Sequence, residues 1–280
     1  MDTLQNQFCR QLNNLSKADL HIHSNFSDGA ESIDEILEYV QEQTDLAVIA
    51  ITDHDTIKGA LLAKKIMENK NYRFEVIVGE EVSSTAGHIL ALYIDKPIKP
   101  HQGVAETIEQ IHQQGGIAVA AHPLYSSRMN HSRFFPVNGV GSKELLKYRT
   151  DFDAIETVNA TPLLGEENLR AKYLNRLLLF RSETGSSDAH ILEAIGKGYT
   201  LFEGKSANDL KAAIFDFQTQ AMNERWGFLG VLRYAFFFLP SGFRTAFHTM
   251  VFGPSRNSRD LVKYPNRFKI KKELVGTEVE

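Results

Sequence analysis

Histidine and carboxylate side chains recur in this sequence where short apolar runs begin or end. In ADLHIH, His21 and His23 lie two residues apart on a predicted strand, so both imidazoles point to the same side of it. Two imidazoles at the end of a strand can bind one metal ion. Asp28 follows in a turn beside Gly29, which can return its carboxylate to the same place. This segment therefore predicts part of a metal site.

The next two segments add acids to this pattern. In AITDHDT an apolar run ends with His54 between Asp53 and Asp55, and we assign Asp55 the ordinary role of capping the helix that follows. VIVGEEVSS places Glu80 and Glu81 inside an apolar strand. Burying a carboxylate without a partner is costly, so at least one of these glutamates requires a cation or another strong partner. A metal ion would satisfy that requirement.

Four more candidates lie beside apolar runs. His88 begins GHILALYI, His122 follows GGIAVAA, and Asp188 and His190 follow a predicted strand in TGSSDAH. The ends of barrel strands are where β/α barrels carry their active sites. Six histidines and at least three carboxylates in such positions are more than core packing explains. The sequence therefore predicts one metal-binding active site built from several strands.

The elements that must position these side chains alternate along the chain. Short runs rich in β-branched residues predict strands, and amphipathic stretches between them predict helices. The predicted strands are Ala18–His23, Leu46–Thr52, Phe74–Val82, His88–Ile94, Gly116–Ala121, Ala154–Val158, Ser182–Ser186 and Tyr199–Phe202. The predicted helices are Ser32–Gln43, Thr56–Asn69, Gly103–Gln114, Ser142–Arg149, Asn168–Leu179 and Ala207–Gln218. This alternation favours an α/β fold with a parallel sheet, closed or nearly closed into a barrel.

Six motifs, HIH, SDG, TDHD, G-x-E-V-S, AHP and SDAH, follow one another along the chain. In their order and spacing they resemble the polymerase and histidinol phosphatase (PHP) family of metal-dependent phosphoesterases, over about residues 17–205. The resemblance implies a distorted (β/α)7 barrel that binds up to three divalent ions. We therefore expect an N-terminal segment (1–16), a PHP-type barrel (17–220) and a basic, aromatic-rich C-terminal extension (221–280).

The resemblance also implies three overlapping ligand sets when it is carried over position by position. The sets are His21, His23, Glu81 and Asp188; Glu81, His88 and His122; and Asp28, His54 and His190. Glu81 is chosen over Glu80 because it fills the third position of G-x-E-V-S. A shell of imidazoles and carboxylates suits Mn, Zn or Fe better than Mg or Ca, so we expect two to three divalent ions of the first kind.

The charge of such a site indicates its substrate. Three divalent ions, three carboxylates and a bridging hydroxide sum to about +2, which matches a phosphate monoester dianion better than a neutral amide. We expect the metal-bridging hydroxide to attack phosphorus without a protein nucleophile. The catalytic candidates are Asp53, Asp28 and His190, and Asp53 is expected to orient a ligand histidine.

Substrate contacts are expected from the loop of residues 123–139, which follows His122. It carries Arg128, His131 and Arg133, and a guanidinium can bind phosphate through two hydrogen bonds. The alternative is a solvated surface loop. Asn159, at the end of AIETVNA, is expected to line the mouth of the site as a further substrate contact.

These observations predict a phosphatase or phosphodiesterase that acts on a small phosphorylated metabolite. The SDG and TDHDT motifs resemble those of nucleoside 3′,5′-bisphosphate phosphatases, so a 3′,5′-bisphosphate nucleotide or an oligonucleotide end is the preferred substrate. A histidinol-phosphate-type phosphatase is the alternative within the family. A different class of function is a non-catalytic barrel stabilised by metal, whose C-terminal extension docks a partner or a membrane surface.

Composition gives the expected setting. A lone Cys9 excludes a disulfide framework, and the first residues lack a signal sequence, so we expect a cytoplasmic protein. The net charge of −4 is the sum of −9 for residues 1–220 and +5 for residues 221–280. We expect the aromatic extension to pack on the barrel. The alternative is contact of residues 221–272 with a membrane surface or a protein, and no stable nucleic-acid partner is expected.

Overall fold

A computed structural model describes residues 15–125, 138–162, 164–228, 230–232, 234 and 235. Within these residues, nine strands form one sheet. The strands are β1 (Leu15–Ile22), β2 (Leu46–Ile51), β3 (Glu75–Ser83), β4 (His88–Leu92), β5 (Ile117–Ala120), β6 (Ala154–Asn159), β7 (Ser182–Ser186), β8 (Gly198–Glu203) and β9 (Gln220–Asn223). Their order in the sheet is β7-β6-β5-β4-β3-β2-β1-β8-β9. Eight were predicted from the sequence, and β9 was not.

Helices lie between most of these strands. Within the described ranges they are α1 (Ile33–Gln43), α2 (Lys58–Met67), α3 (Val104–Gln113), α4 (Gly141–Lys147), α5 (Gly165–Leu174) and α6 (Ala207–Phe215). All six were predicted, with ends that differ by a few residues. A π-helical turn, Asn175–Leu179, continues α5. None of the described helices combines the length and the apolar character needed to cross a membrane.

The predicted capping role of Asp55 is wrong. Helix α2 begins later than expected, at Lys58, and its N-terminal cap is Ile57, which offers no side-chain acceptor. The Asp55 carboxylate instead accepts a hydrogen bond from the backbone N–H of Ser83 at 2.7 Å. Asp55 therefore joins the loop after β2 to the end of β3.

The sheet is mixed, which corrects the prediction of a parallel sheet. Four neighbouring pairs are parallel (β1–β2, β2–β3, β5–β6 and β6–β7), and four are antiparallel (β3–β4, β4–β5, β1–β8 and β8–β9). Strand β4 begins at His88, soon after β3 ends at Ser83, and so short a connection allows a hairpin but not a parallel crossover. Because β4 is reversed, His88 at its start lies at the same edge as the carboxyl ends of β3 and β5.

The sheet nearly closes on itself where β7 approaches β1 and β8. The backbone N–H of Gly185 donates to the Thr200 hydroxyl at 3.0 Å, and that hydroxyl donates to the Gly185 carbonyl at 2.9 Å. Ile22 and Ala189 form a parallel bridge. A Cβ on Gly185 would lie only 2.4 Å from the Tyr199 carbonyl oxygen, so this close approach requires glycine. The result is the barrel-like α/β fold that the sequence predicted.

Alternation along β2 divides the buried apolar side chains between two clusters. Ile49 and Ile51 pack with residues of α1, α2 and α3, whereas Val48 and Ala50 pack in a second cluster with Leu210 of α6. Both faces of the sheet are therefore covered. Polar side chains can therefore gather at the ends of the strands.

The start of the C-terminal extension packs against the barrel. Trp226 and Tyr234 are partly buried against the larger apolar cluster, as expected from the sequence of this region. Strand β9 runs to Asn223, so the sheet extends a little beyond the predicted boundary at residue 220. Most of residues 221–280 lie outside the described part of the chain.

Candidate metal centre

All nine predicted ligands lie within the described residues, and the structure brings them together at one edge of the sheet. His21 and Glu81 lie on β1 and β3, His88 begins β4, and the others follow the ends of strands. Their donor atoms form four groups, each with all atoms within 4.8 Å of one another. The groups are His23, Asp28, His54 and His190; His21, His122 and Asp188; His21, His23 and Glu81; and His54, Glu81 and His88.

Glu81 is the centre of this cluster, and its carboxylate faces five imidazoles. Oε1 lies 2.8 Å from Nδ1 of His88 and 3.0 Å from Nε2 of His122. Oε2 lies close to three ring nitrogens, at 3.1 Å from His21 Nε2, 3.2 Å from His23 Nε2 and 3.2 Å from His54 Nδ1. One buried carboxylate thus faces groups from both ends of the cluster.

Asp188 and Asp28 lie on two sides of Glu81. Oδ1 of Asp188 is 3.2 Å from Nε2 of His23 and 3.7 Å from Nδ1 of His190, so Asp188 contacts both a fully buried imidazole and one beside Asp28. Oδ2 of Asp28 is 3.1 Å from Nε2 of His190 and 3.7 Å from Nε2 of His54, on the side nearer solvent. The Asp28 and His54 side chains are 24% and 19% exposed, whereas His21 and His23 are fully buried. A ligand would therefore enter beside Asp28 and His54.

The cluster passes a structural test for metal binding. Nε2 of His21, Nε2 of His23 and Nδ1 of His88 are buried and have no hydrogen bond of acceptable geometry among the described residues. Each nevertheless lies within 3.2 Å of a Glu81 oxygen. Nitrogen and oxygen atoms that can bind metal thus face the same space, which a cation would fill. The donor set fits divalent ions that accept both nitrogen and oxygen.

The imidazoles also set the charge of the carboxylates. Burial opposes ionisation of Glu81, but His54, His88 and His21 together hold its pKa well below the usual range. Burial acts likewise on Asp188, whose pKa is nevertheless lowered, chiefly by His21 and His23. Both carboxylates are therefore ionised near neutral pH and available as ligands.

The histidines differ from one another in protonation. Burial lowers the pKa of His54 to about 4, so its imidazole carries the charge that favours ionised Glu81 only in acid. Near neutral pH it is neutral and can bind metal directly. Burial also disfavours the charged form of His23, but Asp188 and Glu81 outweigh it and raise its pKa to about 10. A metal ion bound by His23 must therefore displace a proton.

Behind the cluster, Glu156 contacts the imidazole of one predicted ligand, His21, and the backbone of another, His122. Its Oε1 lies 3.1 Å from Nδ1 of His21 and accepts a hydrogen bond from the Ser186 hydroxyl. Its Oε2 accepts from the backbone N–H of His122 at 2.5 Å. A carboxylate on Nδ1 places the proton there and directs the Nε2 lone pair of His21 toward Glu81. Sequence reasoning missed this residue, although an acid inside the apolar run AIETV is the signal that marked Glu80 and Glu81.

The predicted substrate contact of Asn159 is corrected by its surroundings. The side chain is buried, and its Nδ2 donates to Glu156 at 3.0 Å and to Oδ2 of Asp188 at 3.1 Å. Both amide protons are thus occupied by carboxylates. Asn159 positions a ligand carboxylate rather than a substrate.

Asp53 also differs from its predicted role. Its carboxylate accepts hydrogen bonds from the Ser24 backbone and hydroxyl and from the Ser27 hydroxyl, each at 2.7 Å, instead of holding a ligand histidine directly. A Cβ on Gly59 would lie 2.2 Å from its Oδ2, so helix α2 presses against this group. Asp53 therefore fixes the turn that leads to Asp28.

The two adjacent glutamates have different partners. Glu80 accepts a hydrogen bond from the backbone N–H of Ile98 at 2.8 Å, away from the imidazoles. Burial raises its pKa to about 7. The structure thus places Glu81, and not Glu80, in the cluster, as the sequence motif indicated.

Three predicted substrate contacts, Arg128, His131 and Arg133, lie outside the described residues. Both ends of their segment are held beside ligands. The backbone N–H of Gly139 donates to the Tyr125 carbonyl at 2.8 Å, and that of His88 donates to the Asn138 carbonyl at 3.0 Å. Tyr125 and Asn138, which flank this segment, therefore lie beside the metal centre.

The sequence model of the PHP domain matches residues 19–217, more than half of the chain, and this range contains every predicted ligand. This chain belongs to the PHP domain family. Among curated proteins, an uncharacterized protein from Methanocaldococcus jannaschii is 39% identical to this chain over 118 residues, which cover 38% of this chain and 67% of that protein.

Solved structures share the PHP fold of this chain. A two-domain protein from Bacteroides vulgatus, which contains a predicted PHP-like metal-dependent phosphoesterase, matches with a TM-score of 0.59 and 20% identity over 79% of this chain and 69% of that chain. PsfC from Pseudomonas syringae matches with a TM-score of 0.58 and 18% identity over 81% of this chain and 99% of that chain. These likenesses confirm the predicted fold.

The central place of Glu81 can be tested with its neighbour as control. We expect Glu81→Gln to lower the metal content by at least one ion per chain, because the five imidazoles lose their shared anionic partner. Glu80→Gln should retain the wild-type content. Elemental analysis after loading with Mn and desalting measures this, and equal metal content in both variants would contradict the assignment.

The positioning role of Glu156 predicts a loss of metal affinity. Glu156→Gln keeps the size of the side chain but turns one acceptor into a donor beside groups that already donate. We expect metal affinity to fall about 10–100-fold. Competition with a chelating dye measures it, and Glu183→Gln, which alters an acid paired with exposed Arg176, is the control. Unchanged affinity in Glu156→Gln would remove the positioning role.

Proposed function

We propose that this PHP protein is a metal-dependent phosphoesterase that hydrolyses a small phosphorylated metabolite. The observation that carries the proposal is the convergence of six imidazoles and three carboxylates in four overlapping ligand groups. We propose two to three divalent ions, of Mn, Zn or Fe, as its cofactors. Ions bound there would activate water and offset the charge of the phosphoryl oxygens.

The open side of the cluster gives the direction of substrate approach. Asp28 and His54 are its partly exposed members, and His190 lies within 3.1 Å of Asp28. We place the phosphoryl group beside these three side chains, and Asp28 and His190 remain the catalytic candidates on this ground. Ser24 and Ser27 are nearby hydroxyls, and both donate to Asp53 at 2.7 Å.

Arg128, His131 and Arg133 remain the proposed contacts to the substrate. Their segment is tied at both ends to backbone beside His122 and His88. Arginine side chains carry positive charge, and guanidinium groups match the geometry of phosphate. We propose that they bind phosphoryl oxygens that the metal ions leave unpaired.

A nucleotide is the preferred substrate class, either a 3′,5′-bisphosphate or an oligonucleotide end. This choice rests on the SDG and TDHDT motifs. A histidinol-phosphate-type substrate differs in its leaving group and uses the same centre. The cytoplasmic setting stays a prediction.

Contact of the C-terminal extension with a membrane surface or a protein also stays a prediction. It is supported by the charge of +5 over residues 221–280 and by Phe228, whose side chain is 81% exposed. Val231 and Leu232 are exposed as well. A non-catalytic barrel that docks through this segment predicts bound metal without turnover.

One screen tests the proposed activity. The full chain, loaded with Mn, is assayed for phosphate release from nucleoside bisphosphates and monophosphates, short oligonucleotides, sugar phosphates and histidinol phosphate. We expect release, greatest with a nucleotide, and a loss of at least about 100-fold in His54→Ala because a ligand is removed. His112→Ala is the control, since His112 is 41% exposed and bonds to Asp153 outside the cluster.

Bound metal without phosphate release from any of these esters would overturn the proposal. Equal activity in His54→Ala and the wild type would show that the turnover belongs to another site or to a contaminant.

A further inference from the structure

The segment after β9 returns to the metal centre, where the chain's only tryptophan anchors it. The indole N–H of Trp226 donates to the carbonyl oxygen of Ala160 at 2.7 Å. Ala160 directly follows Asn159, which holds the carboxylate of Asp188. The anchor therefore fixes the segment at the edge of the sheet that carries the ligands.

Trp226 in turn positions Tyr234. Their rings pack edge to face, with centroids 5.2 Å apart and an interplanar angle of 70°. The Tyr234 hydroxyl lies 3.4 Å from the Thr161 hydroxyl, which lies 3.4 Å from Oδ2 of Asp188. A phenol from the C-terminal extension is thus two hydrogen-bond lengths from a proposed metal ligand.

We propose that Tyr234 is a substrate-binding residue, whose hydroxyl donates a hydrogen bond to a phosphoryl oxygen of the ester bound at the metal centre. The inference rests on the proposed phosphoesterase function and adds a binding group from outside the barrel. It gives the start of the extension a part in the active site.

The geometry favours an exchange of partners at this hydroxyl. Its contact with Thr161 is long for a hydrogen bond between two hydroxyl groups, which is usually near 2.7–2.8 Å. A phosphoryl oxygen is a charged acceptor, and hydrogen bonds to charged acceptors are shorter and about twice as strong. A tyrosine hydroxyl carries its proton near neutral pH, so it can donate.

Such an exchange leaves the metal ligands in place. Thr161 contacts Oδ2 of Asp188, whereas Oδ1 is the oxygen that faces His21 and His23. Tyr234 can therefore turn from Thr161 to substrate without disturbing the oxygen that would bind metal. The ring remains held by Trp226.

Phosphate binding to the metal-loaded full chain tests the proposal. Inorganic phosphate is the probe, and calorimetry gives its Kd for the wild type, Tyr234→Phe and Phe228→Ala. Tyr234→Phe keeps the ring against Trp226 and removes only the hydroxyl, so we expect a Kd about tenfold or more above wild type. Phe228→Ala changes an exposed side chain of the same segment and should bind phosphate as the wild type does.

Two further readouts separate substrate binding from a structural role. Metal content and thermal midpoint should be the same in Tyr234→Phe and the wild type, and KM for a hydrolysed ester should rise while kcat changes less. A wild-type Kd for phosphate in Tyr234→Phe, or no phosphate binding in the wild type, would overturn the inference. A wild type that binds phosphate but hydrolyses no ester would instead overturn the proposed function.

Discussion

The buried charge of Glu81 is the constraint on which the rest of this structure depends. A carboxylate removed from water must be offset by positive charge or strong hydrogen-bond donors, and here five imidazoles surround it. These imidazoles come from β1, from the turn after β2, from the start of β4 and from the end of β5. One charge therefore requires that four separate parts of the chain meet at one edge of the sheet.

Two acids outside the cluster hold its side chains in place. Glu156 joins β6 to His21, to the backbone of His122 and to Ser186, so it braces the buried side. Asp53 holds the serines of the turn before Asp28, so it braces the side open to solvent. The inner carboxylates mainly face imidazoles. The outer ones accept mainly from hydroxyl, amide and backbone donors, although Glu156 also contacts Nδ1 of His21. This division suits a centre whose inner groups bind cations.

The ligands could be predicted from the sequence because each is a local feature at the end of an apolar run. His88 is instructive, since it begins its strand and reaches the site only because β4 is antiparallel, which the short connection after Ser83 imposes. The partners behind the ligands could not be predicted in the same way. Glu156 contacts His21, which is 135 residues away in the sequence. Asn159 was predicted to contact substrate, but its amide lies between two carboxylates. The approach of Tyr234 likewise depends on the contact of Trp226 with Ala160, which no local pattern encodes.

The central role of Glu81 is tested most directly by the anomalous scattering of Mn in crystals of the loaded full chain. We expect two or three ions at the strand ends, with oxygens of Glu81 within about 2.0–2.6 Å of two of them and imidazole nitrogens completing their shells. Ions bound without Glu81, or a Glu81 carboxylate that stays paired with imidazoles while Mn binds elsewhere, would contradict this role.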